Sequence, residues 1–174
     1  DVCVPEHQKS IMRETPWGKM TYLEYKHKIE FGKSEYDFIK KYSEQKPIDW
    51  TTSVWDLDSL EFMLQYDVPF IKIPSALITD EELVKETAKT KIPIIISTGM
   101  STIEEVDTAV NLIMKDGVNP IIMHCNSSYP TPKNELNLMV IETLKNRYRC
   151  EVGYSGHEFR LGTTVASVYL GATI

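Results

Sequence analysis

One lysine stands in the middle of an apolar run, Pro69-Phe70-Ile71-Lys72-Ile73-Pro74-Ser75. Burying an unpaired charge is strongly unfavourable, so a lysine placed there calls for an anion. Ser75, where the run stops, adds a hydroxyl able to fix that anion's orientation. Three later runs have the same plan. Ile92-Pro93-Ile94-Ile95-Ile96 ends in Ser97-Thr98-Gly99, Pro120-Ile121-Ile122-Met123 in His124-Cys125-Asn126-Ser127-Ser128, and Cys150-Glu151-Val152-Gly153-Tyr154 in Ser155-Gly156-His157. Polar groups at the C-terminal ends of successive apolar strands are how a β/α barrel builds its active site.

Each group also has a plainer reading. Lys72 with Ser75 forms an anion clamp, or Lys72 is an edge-strand lysine that snorkels to water. Ser97-Thr98-Gly99 offers small hydroxyls and backbone N–H groups to a phosphate or carboxylate, or is an ordinary strand-to-helix turn. Ser53, at the end of an earlier strand, is a weaker candidate of the same kind. His124 and His157 are each a metal ligand, an acid/base group or a satisfied core histidine. Neighbouring strand residues face opposite ways, so His124 and Cys125 cannot both point inward. Gly156 permits an unusual backbone beside His157, but no second ligand stands at a useful spacing. Asn126-Ser127-Ser128-Tyr129 suits a polyhydroxylated ligand, or caps its own loop.

Alternating strands and helices must position these groups. Residues 1–31 are the least regular, broken by Pro5, Pro16 and Gly18, with a short helix over 20–28. Ser34 caps a helix to about residue 44, which Pro47 ends. A strand over 49–54 follows. Asp58 with Glu61, Thr79 with Glu82, and Ser101 with Glu104 have the spacing of capping boxes for the next three helices. In the third, Ile103, Val106, Ala109, Val110, Ile113 and Met114 share one face, and Gly117 takes the C′ position. Further helices are expected over 138–147 and 162–170, and residues 172–174 begin another strand. Strand starts near 49, 70, 92, 120, 151 and 172 imply a parallel sheet with right-handed crossovers. That is five strands and the beginning of a sixth, in an open doubly wound sheet or an incomplete barrel. Polar clusters at every strand end favour the barrel, because an open sheet gathers them at one switch point.

The totals bound the function. The 174 residues are 42% apolar and 25% charged, as in an ordinary soluble globular domain. The net charge of -6 argues against a nucleic-acid partner, so an anionic substrate needs a local cation, and Lys72 is the obvious one. Cys3, Cys125 and Cys150 have neither disulfide-framework nor zinc spacing, which suits a reducing, cytoplasmic setting. No stretch has the length of a membrane span, and no signal-peptide pattern is present. The chain begins at Asp1 with no initiator Met, so further sequence is expected upstream.

Lys72-Ile73-Pro74-Ser75, Ser97-Thr98-Gly99-Met100, His124 through Pro132, Glu135-Leu136-Asn137-Leu138 and Val152 through Glu158 together resemble the sialic acid synthase (N-acetylneuraminate synthase) family. The resemblance runs from about Thr15 onward. It implies a (β/α)8 TIM barrel, here about strands 3 to 7 and the start of strand 8, with the first barrel strands and a C-terminal antifreeze-like domain outside the chain. It implies a domain-swapped homodimer. The implied reaction condenses phosphoenolpyruvate with N-acetylmannosamine, or a related 2-acetamido sugar, to a nonulosonic acid and phosphate. The implied cofactor is a divalent metal, manganese or magnesium.

By the same resemblance, Lys72, Ser75, Ser97 and Ser155 match phosphoenolpyruvate-binding positions, and Ser53 matches a hydroxyl position at a strand end. Asn126, Ser127 and Tyr129 belong to the substrate loop, and His157 matches the first of two metal-binding histidines. Lys72, His157 and Tyr129 are the expected catalytic groups. The metal would polarise the sugar aldehyde, while Lys72 and the serines hold phosphate and carboxylate. Leu77 stands where many members of the family have an acid, which leaves the general base unassigned. The second metal histidine is expected beyond Ile174, so these residues alone are expected to be inactive. Two other readings use the same residues: a non-catalytic sugar- or anion-binding half-barrel, and a barrel lyase or aldolase with Lys72 as a Schiff-base lysine. Within the family, the sequence leaves neuraminic and legionaminic acid products equally open.

Overall fold

The apolar runs form a parallel sheet. A computed structural model describes residues 4–159 and 161–174, and Cys3 lies outside them. The chain divides into two units, 1–50 and 51–174.

In the first unit, β1 (Met12–Thr15) and β2 (Gly18–Thr21) form an antiparallel hairpin. The Pro16-Trp17-Gly18 break expected from sequence is its turn. Gly18 takes a φ of 98°, which suits glycine, and Thr15 Oγ1 donates to the Gly18 carbonyl at 2.7 Å. Helix α1 (Tyr22–Ile29) starts at a capping box of Thr21 with Glu24. Helix α2 (Lys33–Gln45) starts before Ser34, because Glu35 Oε2 accepts the Gly32 N–H at 2.8 Å.

The second unit runs α3 (Leu57–Met63), β3 (Ile71–Ile73), α4 (Glu81–Lys89), β4 (Ile94–Ser97), α5 (Ile103–Lys115), β5 (Ile121–Cys125), α6 (Val140–Tyr148), β6 (Val152–Ser155) and α7 (Leu161–Tyr169). The sheet order is β3-β4-β5-β6, every pair parallel. Neighbours in space are neighbours in sequence, with no reversal of order of the kind that marks a doubly wound switch point.

The helix starts differ from the expected caps by one or two residues. Asp56, Asp80 and Thr102 cap α3, α4 and α5 through bonds from the N–H groups of Ser59, Leu83 and Glu105. In each case two adjacent or nearby residues could cap, and the phase of the buried face selects one. The expected strand over 49–54 shrinks to one parallel bridge, Ser53 to Lys72. Thr51 Oγ1 donates to the Phe70 carbonyl at 2.6 Å, so a hydroxyl serves that carbonyl where a ladder would use an amide. At the other edge, Tyr154 N–H donates to the Ile174 carbonyl and Thr173 N–H to that of Val152.

Register and pleat sort the side chains. Ile73, Ile96, Ile122 and Val152 lie in one row and are essentially inaccessible. Leu83, Val84, Ala88, Val106, Ala109, Val110, Ile113, Ile141 and Leu144 are the matching buried residues of α4, α5 and α6. This is the layer where most of the core sits.

Candidate active site

The opposite face carries the chemistry. Ser53 lies opposite Lys72, Lys72 opposite Ile95, and Ile95 opposite Ile121. Two residues further on, Ser97 lies opposite Met123, and Met123 opposite Gly153. Two further again, Cys125 lies opposite Ser155. Side chains two apart on a strand share a face. Ser53, Lys72, Ser97 and Ser155 are therefore on one face of the sheet, and Lys72 is the only charged group among them.

Lys72 is half-buried, between Ile71 and Ile73, which are 1% and 0% exposed. Among the described residues its ammonium makes no hydrogen bond or ion pair. Ser97 is buried at the end of β4, and its Oγ has no hydrogen-bond partner. Native structures rarely leave a buried hydroxyl unpaired, so each such case needs a reason.

Three loops converge at Gly99. Ser75 Oγ accepts the Gly99 N–H at 3.0 Å. A Cβ at residue 99 would collide with Ser127 Oγ and lie 2.9 Å from Ser75 Oγ. Two hydroxyls from different loops thus meet at one backbone position, and only glycine leaves room for both. Thr98 turns away, its N–H and Oγ1 both donating to the Met123 carbonyl.

The two histidines fare differently. His124 is 6% exposed and lies opposite Tyr154, off the Lys72 face. Its Nε2 bonds the Leu136 carbonyl at 2.8 Å, which is the satisfied-core reading. His157 Nδ1 bonds the Asn126 carbonyl at 2.7 Å. A carbonyl only accepts, so in the neutral ring Nδ1 holds the proton and Nε2 presents its lone pair. The exposed Tyr129 ring meets the His157 ring edge-on, with centroids 5.0 Å apart. Gly156 has no unusual φ. It is glycine for space, since a Cβ there would lie 2.6 Å from Glu158 Oε2 and 2.7 Å from the Tyr154 ring. Glu158 accepts a hydrogen bond from the Tyr154 hydroxyl at 2.8 Å, and burial, aided by that carboxylate, holds the phenol well above its usual range.

His157 Nε2 suits one position of a divalent ion. Among the described residues, however, no group of three or more His, Cys, Asp or Glu could hold one. These residues therefore do not complete a metal site by themselves.

Asn126 uses its side chain within the loop. Oδ1 accepts the Ser128 N–H at 2.8 Å and Nδ2 donates to the Glu135 carbonyl at 3.1 Å. Beside this loop is a cavity of about 390 Å3, lined by apolar Val106, Val140 and Leu144 and by polar Ser101, Ser127 and Glu135. It takes in Ser127 but neither Lys72 nor His157, so the largest concentration of chemistry is on the sheet face rather than in this cavity. The sequence offers the Gly99 N–H to an anion, whereas in the structure that N–H donates to Ser75 Oγ, and the crowding of Ser75 and Ser127 at Gly99 has no local sequence signal.

Comparison with known proteins places the chain in a family. N-acetylneuraminate-9-phosphate synthase of Drosophila melanogaster is 39% identical over 160 residues, covering 91% of this chain and 43% of that protein. N,N'-diacetyllegionaminic acid synthase of Campylobacter jejuni is 32% identical over 155 residues, covering 87% and 46%. Among solved structures, the N-acetylneuraminic acid (sialic acid) synthetase of Leptospira borgpetersenii, in complex with citrate, superposes with a TM-score of 0.80 at 33% identity, over 82% of this chain and 50% of that one. The chain thus spans half or less of the length of these relatives. The model of the NeuB family matches residues 1–174, and the chain belongs to that family.

Proposed function

We propose that the chain is part of a nonulosonic acid synthase, a transferase of carbohydrate biosynthesis that joins phosphoenolpyruvate to N-acetylmannosamine or a related 2-acetamido sugar and releases phosphate. The observation that carries the reading is the shared face of Ser53, Lys72, Ser97 and Ser155, with Ser75 and Ser127 meeting at Gly99. A cation that has no protein partner among the described residues, on one face with serine hydroxyls, suits a small substrate with a phosphate and a carboxylate. Family membership and the names of the relatives supply the reaction class.

The strands in chain order fit consecutive strands of a (β/α)8 barrel with the Lys72 face inward. The homodimer and the cytoplasmic setting belong to the same proposal. Among the described residues, no helix is long and apolar enough to cross a membrane.

In the reaction, the methylene carbon of phosphoenolpyruvate attacks the aldehyde carbon of the open-chain sugar, and the aldehyde oxygen takes up a proton. Water adds to the resulting oxocarbenium-like carbon and gives up a proton. The tetrahedral intermediate then loses phosphate by C–O cleavage, leaving the keto acid. Lys72 and the serines would hold phosphate and carboxylate throughout, so their contribution is positioning and charge stabilisation. Tyr129, exposed beside His157, would meet the sugar. His157 would give one ligand to manganese or magnesium, which would supply Lewis-acid polarisation of the sugar aldehyde.

The test is phosphate release from phosphoenolpyruvate by the full-length protein, with a panel of acceptors: N-acetylmannosamine, the same sugar phosphorylated at its far end, and 2,4-diacetamido sugars. Release that depends on one acceptor, with a product of the summed mass less phosphate, is expected. Binding of phosphoenolpyruvate with no aminosugar-dependent release would overturn the reading in favour of a non-catalytic module.

A further inference from the structure

The geometry points to Asn126 as a positioning residue, which sets the tautomer of His157 and the place of Ser127 while its own amide meets neither substrate. The sequence puts Asn126 among groups available to a hydroxylated ligand. In the structure both ends of its amide are used: Oδ1 takes the Ser128 N–H and Nδ2 reaches the Glu135 carbonyl, nine residues on. These two bonds brace the backbone of residue 126 from both sides. That backbone does two things. Its carbonyl takes the proton of His157 Nδ1 at 2.7 Å. It also leads directly into Ser127, whose Oγ crowds Gly99 beside Ser75. One side chain therefore holds the segment from which a histidine is aimed and a hydroxyl is placed.

The tautomer is the sharp consequence. His157 is the Nδ1–H form because a carbonyl can only accept, whereas His124, bonded to the Leu136 carbonyl through Nε2, is the Nε2–H form. The chain thus carries two histidines of opposite tautomer, and His124 serves as an internal control. Partners that orient a functional imidazole are commonly worth roughly tenfold to a hundredfold in activity or ligand affinity. The inference takes from the proposed function only that His157 and Ser127 face the reactants.

The experiment is ¹⁵N–¹H NMR of the histidine side chains in the free full-length protein, at a pH where both rings are neutral, for wild type, Asn126→Ala and Asn126→Asp. Wild type is expected to show His157 as Nδ1–H and His124 as Nε2–H. Asn126→Ala should move His157 to a mixture of tautomers, leave His124 unchanged, and lower turnover roughly tenfold to a hundredfold. Asn126→Asp keeps the acceptor for Ser128 and loses the donor to Glu135, so it should fall between, and it is the variant to read if the alanine protein does not fold. An Nε2–H His157 in wild type overturns the inference by itself. So does an unchanged His157 tautomer in a folded variant that has lost turnover, since the aim of the imidazole then does not depend on the Asn126 side chain. The tautomers are read without substrate, so the inference can fail while the proposed reaction stands, and the reverse.

Discussion

Ser75 Oγ accepts the backbone N–H of Gly99 at 3.0 Å, tying the end of β3 to the end of β4. Since Ser127 Oγ crowds the same position a Cβ of residue 99 would take, the three loops are mutually fitted around a missing side chain.

Gly99→Ala tests that fit. The backbone at 99 has no left-handed φ, so the effect is purely steric. The added methyl must push Ser127 or Ser75 aside, and overpacking of this kind costs about 1–3 kcal/mol. Affinity for phosphoenolpyruvate is expected to fall at least roughly tenfold, read by calorimetric titration. Unchanged affinity would mean the two hydroxyls do not share a ligand.

Lys72→Met separates an anion clamp from a structural lysine. The ammonium has no protein partner among the described residues, so its loss leaves nothing unpaired. Urea midpoints should hold or rise. Phosphoenolpyruvate affinity should fall roughly tenfold to a hundredfold, the worth of a charged hydrogen bond. A clear loss of stability would return Lys72 to a structural role. Borohydride in the presence of substrate should trap no adduct on Lys72, and trapping one would favour the Schiff-base reading.

What was legible in the sequence follows from range. Ile94, Ile95 and Ile96 announce a strand covered on both faces, and the polar residues after them announce its end. Caps were harder, because Asp56 and Asp58, or Ser101 and Thr102, compete locally and the tertiary face decides. The hairpin at Gly18 was hidden because a turn and an irregular break share the same residues. His124 was undecided until the Leu136 carbonyl, twelve residues away, met its ring. The meeting of Ser75, Gly99 and Ser127 depends on three loops and has no local spacing to betray it.

Ser97→Ala removes a buried hydroxyl without a partner. An unsatisfied buried group costs about 1–3 kcal/mol, so the free protein should be no less stable, and up to about 1 kcal/mol more so. If the hydroxyl is kept for a ligand, the rise in melting temperature on adding phosphoenolpyruvate should shrink in the variant. Paired melts with and without substrate give both numbers. A destabilised free protein with an unchanged ligand shift would place Ser97 in the packing instead.

Asp107 joins α5 to α6 away from this chemistry. Arg147 donates to it through Nε at 2.7 Å and through Nη2, and the Tyr148 hydroxyl donates at 2.9 Å. The Arg147 hydrogen bond holds the Asp107 carboxyl below its usual range, against the opposing effect of desolvation. A depressed carboxyl stabilises the fold above its unfolded pKa, and that contribution disappears as pH falls through the folded value. Tyr148 runs the other way. Burial, then its bond to Asp107, pushes the phenol up to about 12 from 10.0. A raised pKa contributes fully below the unfolded value and is lost as pH climbs through the folded one, here from about 10 to about 12. Urea midpoints measured across pH should therefore fall on both limbs. Asp107→Asn should flatten the acid limb, and Tyr148→Phe the alkaline limb. An acid limb unchanged in Asp107→Asn would show that the helix pair does not depend on this carboxylate.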